Sequence, residues 1–140
     1  MDNLIIFDEE FCRWEETVTL PFGFSHNLKH FPPDNERTKR LRVLSKSEGW
    51  ICHYCKKPLV SLDEDIRKYC KMTVSEDEYG HKKISYKLLP NFLLPQIDHK
   101  IPRAKKGKDS FANLAISCPP CNRKKGVKDY ELFLKEILGE

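Results

Sequence analysis

Two cysteine pairs of identical spacing, Cys52-His53-Tyr54-Cys55 and Cys118-Pro119-Pro120-Cys121, are the first residues in this chain that could do chemistry. Four thiolates are what tetrahedral zinc takes in a closed structural site, and a repeated CxxC is a specific pattern for it. Structural zinc in finger peptides is worth about 10–16 kcal/mol near neutral pH, so such a site would bind the turn at 52–55 firmly to whatever follows Cys118. Side chains of another kind lie close by in sequence. Asp98 and His99 are adjacent, Asn113 follows, and Asn122 comes directly after Cys121. A carboxylate oxygen and an amide oxygen are hard donors that suit Mg2+ or Mn2+, and two protein ligands leave room for water and a substrate phosphate. Neighbouring strand residues face opposite ways, so Asp98 and His99 suit one ligand and one free base better than two ligands.

The charge is concentrated near these residues. The chain carries a net +4 over 140 residues, but residues 98–128 hold nine Lys or Arg against two Asp, while the remainder holds sixteen against nineteen acids. A local excess of that kind attracts a polyanion such as a phosphate backbone. Hydrophobic content of 39% with 33% charged residues is a globular balance. No long apolar run is present to span a membrane, and Met1-Asp2-Asn3-Leu4 lacks the features of a secretory signal. The expectation is a cytoplasmic protein whose cysteines stay reduced and bind metal.

The elements that must position these side chains can be read in outline. Leu4–Phe7 and Thr17–Leu20 read as short strands. Asp34 is expected to cap a helix through Glu48, with Leu41 and Leu44 on its apolar face and Gly49 at its end. Met72–Val74 and Ile84–Tyr86 read as the arms of a hairpin. Ile97–Ile101 is a strand stopped by Pro102, 103–110 a basic loop containing Gly107, and Asn113–Ile116 a second strand. A helix should start near Pro119, where prolines are tolerated, and end at Gly126. Tyr130, Phe133, Leu134, Ile137 and Leu138 have the spacing of one apolar helix face, with Asp129 as cap. Cys12 and Cys70 read as small, buried or half-buried residues, His53 and His81 as surface polar groups, and Trp14 and Trp50 as core; Tyr54 and Arg67 receive no role.

The succession CHYC, DHKIP, NLAISC and CNRKKG over residues 50–126 resembles the HNH nuclease family in its HNN form, with Asn122 where many members have histidine. The resemblance implies an α+β fold whose ββα-metal core is stabilised by zinc. It also implies metal-dependent hydrolysis of phosphodiester bonds, usually in DNA. Carried over to this chain, His99 is the general base that activates water. Asp98 and Asn122 are the ligands of one catalytic ion, Mg2+ or Mn2+. Asn113 braces the loop and orients His99, and Cys52, Cys55, Cys118 and Cys121 hold a structural Zn2+. Lys100, Arg103, Lys105, Lys106, Lys108, Arg123, Lys124 and Lys125 would hold backbone phosphates. The expected layout is a single domain, 1–140: an N-terminal extension (1–33), a helix (34–49), the HNH core (50–126) with an insertion (56–97), and a C-terminal helix (127–140). The protein would act as a monomer or homodimer, with RNA left open as a substrate. Gly107 stands alone where the family commonly has a glycine pair. Two other classes stay open: a zinc-stabilised nucleic-acid-binding module without catalysis, and an interaction protein in which zinc only supports a partner surface.

Overall fold

The computed structural model describes residues 15–21 and 25–139. In chain order the elements are β1 (Glu15–Thr19), β2 (Ser25–Asn27), α1 (Glu36–Glu48), β3 (Cys70–Glu76), β4 (Lys82–Leu88), β5 (Gln96–His99), β6 (Leu114–Ser117), α2 (Pro119–Lys125) and α3 (Tyr130–Ile137). The chain divides into two compact units. Residues 1–33 and 65–90 form one, and residues 34–64 and 91–140 the other. The expected strand Leu4–Phe7, with Cys12 and Trp14, lies outside the described residues.

The first unit is a four-stranded sheet of order β2-β1-β4-β3. The expected hairpin is present, and its arms are longer than the β-branched and aromatic cores that announced it. β1 pairs in parallel with β4, placing Val18 opposite Tyr86. The period of two sorts the faces: Val18, Tyr86 and Leu88 are buried, while lysines and hydroxyls alternate with them.

The second unit contains α1, the 52–55 turn, the β5–β6 hairpin, α2 and α3. Antiparallel pairing sets Ile97 opposite Ile116 and His99 opposite Leu114. Its core comprises Leu41, Leu44, Leu59, Leu62, Leu114, Ile116 and Phe133 together with Tyr54 and three of the cysteines. The excursion from this unit is 65–90, shorter than the expected insertion at 56–97. Residues 59 and 60 remain in it because their amides bond to Trp50 and Leu93 carbonyls at 2.8 Å each. Trp50 packs at the edge of the core and donates its indole N–H to Asp63.

Local chemistry corrects three expectations. The cap of α1 is Asn35, not Asp34: its side-chain oxygen accepts from the Thr38 amide at 2.9 Å. Asp129 occupies the cap position of α3 without a capping bond, because its carboxylate pairs instead with Lys105 at 2.9 Å. Leu138 follows the end of α3 and is 69% exposed, so it leaves the apolar face that Phe133 anchors. Phe133 is 1% exposed, with the Tyr54 ring edge-on to it at 5.0 Å. Phe133→Ala should cost about 3–5 kcal/mol of unfolding free energy, read from the midpoint of denaturant unfolding. Leu138→Ala should leave that midpoint nearly unchanged.

Candidate active site

The two cysteine pairs meet. Residues 52–55 form a tight turn, with the Lys56 amide bonded to the Cys52 carbonyl at 3.0 Å, and the His53 amide bonds to the Ile116 carbonyl of β6 at 2.9 Å. Cys118 caps α2, its sulfur accepting from the Cys121 amide at 3.4 Å. All four Sγ atoms lie within 4.8 Å of one another, and Cys55 and Cys118 are 3.7 Å apart. Zn–S bonds of about 2.3 Å in a tetrahedron imply sulfur–sulfur edges of roughly 3.8 Å, so the cluster has the size for one zinc ion. Burial pushes the Cys52 thiol up, but backbone N–H groups of both knuckles outweigh it and bring it to about 7. Burial raises Cys118 to about 11 and Cys121 further still. The free cluster therefore keeps protons that a bound metal would displace.

Beside the sulfurs lies a buried polar network that the sequence did not suggest. Asp98 of β5 is 4% exposed, and its Oδ2 accepts a short hydrogen bond from the Tyr54 hydroxyl, inside the first knuckle. Lys125 of α2 is 0% exposed; its ammonium donates to the His99 carbonyl at 2.8 Å and lies 3.4 Å from Asp98 Oδ2. The expectation that Lys125 meets backbone phosphates is thus corrected. Helical spacing turns it away from Arg123 and Lys124 and into the core, where a charge must be paired. Burial and then the Asp98 carboxylate drive the Tyr54 phenol well above its ordinary range, so it stays a donor. His53, expected on the surface, is half-buried between Glu48 (2.6 Å) and the Tyr130 hydroxyl (2.8 Å). His81 is exposed and bonded to Asp77, and Cys70 is half-buried, as expected.

His99 ends β5 and faces the opposite way. Its Nε2 lies 2.7 Å from Asp109 Oδ1, and Arg103 Nη2 holds the same oxygen at 3.2 Å. Nε2 thus faces both the Asp109 carboxylate and the Arg103 Nε–H, which lies 3.3 Å from it. The hydrogen bond from His99, followed by Arg103, lowers the pKa of Asp109. Asp109 was overlooked in the sequence, although it is the one acid between His99 and Lys128. Asn113 precedes β6 and closes the loop: Oδ1 accepts from the Ile101 amide at 2.8 Å, and Nδ2 donates to the Ile101 and Lys108 carbonyls at 3.1 and 2.8 Å. Gly107 is packed so closely that a Cβ there would lie 1.7 Å from the Ile101 carbonyl oxygen. One glycine at this point suffices for the loop.

Asn122, on α2, donates Nδ2 to Gln96 Oε1 at 2.9 Å, which leaves Oδ1 as its acceptor. Both bonds to Asp98 use Oδ2, leaving Oδ1. Asp98, His99 and Asn122 line one open cavity of about 270 Å³, with Arg103 at its rim. Asp98 and Asn122 bring a carboxylate and an amide to its lining, the donor types that a hard divalent ion takes. Of the expected phosphate-binding residues, Arg103, Lys105, Lys106, Lys108, Arg123 and Lys124 are exposed. Lys105 is paired with Asp129, and the Lys100 ammonium sits 5.4 Å from the Tyr130 ring centroid.

A zinc-sized sulfur cluster beside a β-hairpin and helix, with His99 and Asn122 on one cavity, defines a ββα-metal type of centre within an α+β fold. Residues 91–128 match the model of the HNH endonuclease family. No curated protein and no solved structure matches the chain. Among the described residues, no helix is long and apolar enough to cross a membrane.

Three outcomes follow from this geometry. The purified chain should contain one zinc per molecule by elemental analysis, with retention falling as pH drops because protons compete for the thiolates. Cys118→Ser should abolish that retention. Lys125→Ala, which strands a buried carboxylate, should destabilise by about 3–5 kcal/mol in denaturant unfolding, whereas Lys124→Ala should be near neutral.

Proposed function

We propose that this chain is an endonuclease that hydrolyses phosphodiester bonds in DNA with a divalent ion, Mg2+ or Mn2+, as cofactor. The observation that carries the reading is that His99, paired with Asp109, lines the same cavity as Asp98 and Asn122, inside the HNH-matched segment. In the tautomer whose Nε2–H is held by Asp109, Nδ1 is the nitrogen that takes a proton from an attacking water. The water oxygen then bonds to phosphorus as the leaving oxygen departs. A correctly placed base contributes typically 10²–10⁴-fold. Asp98 Oδ1 and Asn122 Oδ1 would hold the divalent ion, whose chemistry when bound is to stabilise negative charge gathering on the phosphate oxygens. Asn113 keeps the 100–108 loop in the shape that presents Arg103 and His99 together. Arg103, Lys106, Lys108, Arg123 and Lys124 hold flanking phosphates, an electrostatic task that is blind to base sequence. One chain has one such site, so a monomer nicks, and a double-strand break takes two chains or two visits.

Plasmid nicking with Mg2+ or Mn2+ tests this. His99→Ala should lower the rate at least about 100-fold and Asn122→Ala comparably, with zinc content and fold unchanged. Equal nicking by wild type and His99→Ala would replace the reading with a binding module that lacks catalysis. Gly107→Ala should also lose activity, because the loop that Asn113 closes must move to relieve the clash with Ile101.

A further inference from the structure

We infer that the polar face of the β2-β1-β4-β3 sheet is a second contact surface for the phosphate backbone of duplex DNA. The inference rests on the nuclease reading for the identity of its partner. Strand register puts Ser25, Thr19, Lys87 and Lys71 in one row across the four strands. The next row holds Asn27, Thr17, Ser85 and Thr73. The Thr19 and Ser25 hydroxyls are 3.1 Å apart, as a shared face requires. Lys71, Thr73 and Lys87 are exposed. These two rows contain no carboxylate and no apolar side chain, while the opposite face buries Val18, Tyr86 and Leu88.

The placement of the two lysines separates a binding face from ordinary solvation. Lys71 and Lys87 stand directly opposite each other, and like charges in that position destabilise a sheet. A lysine on an edge strand has a protective use, since it discourages pairing with another chain. That accounts for Lys71 on β3. It does not account for Lys87, because β4 is central and is paired on both sides. Two ammonium groups beside a field of hydroxyl donors are the chemistry that meets backbone phosphates, which accept from Lys, Ser and Thr alike. Lys83, in register with Glu15, is not needed for the surface.

The test is binding of a duplex DNA oligonucleotide by the full chain in a His99→Ala background, measured by fluorescence anisotropy across a salt series. Each lost phosphate contact on B-DNA removes about 0.9 from the slope of log K against log salt. Lys71→Gln/Lys87→Gln should therefore reduce the slope by about 1.8, and Lys71→Arg/Lys87→Arg should keep the parental slope. Lys39→Gln/Lys46→Gln, a pair exposed on α1, should also leave the slope unchanged. If the Gln pair fails to fold by circular dichroism, Lys87→Gln alone should reduce the slope by about 0.9. An unchanged slope in the β3–β4 variants, or an equal fall in the α1 control, overturns the inference while leaving the nuclease reading intact. Absence of any duplex binding by the parent overturns both.

Discussion

Four sulfur atoms within 4.8 Å of one another mark the point where a metal ion would tie one unit of this molecule together. They join a turn after α1 to the first turn of α2, two places far apart in the chain. Everything at the cavity depends on that junction. Asn122 follows Cys121 directly, so fixing the sulfur fixes the start of the helix and the height at which the amide stands. The same turn carries the His53 amide onto β6, which sets the hairpin against the knuckle. In a unit whose apolar core is small, a metal-sized constraint of this kind replaces packing that the composition does not supply.

The polar network next to the sulfurs shows how the constraint is extended to the strand. Tyr54 reaches from the knuckle, Lys125 from the helix, and both close on Asp98. A buried carboxylate facing a buried ammonium is tolerable only when the geometry is held, and the zinc-type clamp holds it. The lysine also bonds the carbonyl of His99, so the core side of the strand end and the cavity side share one peptide. His99 itself belongs to the other face, where Asp109 and Arg103 restrain it. Core stability and the presentation of the imidazole are therefore set at adjacent residues pointing in opposite directions.

Much of this was legible in the residues. The cysteine spacing named its own metal, the β5–β6–α2 succession followed from short apolar strands and a Pro-started helix, and the hairpin at 70–88 was announced by its β-branched and aromatic cores. Asn113 was legible as a loop brace only through the family pattern. Tyr54, Asp109 and Gln96 were not legible, because each acts on a partner that local spacing does not bring near. The parallel pairing of β1 with β4 was hidden for the same reason: a period of two reports a strand and its faces, never the strand beside it.

Residue types and their intervals by themselves determined which side chains could bind zinc, which could activate water, and where positive charge would gather, since those are properties of chemical groups and local backbone. Tertiary structure alone decided what each charge faces. Three cations in a row, Arg123, Lys124 and Lys125, read alike along the chain, yet the turn of a helix sends one of them into the core to neutralise Asp98 and leaves two in water. The reason is geometric: helical rotation places consecutive side chains on different faces, and only the packed neighbours determine which face is dry.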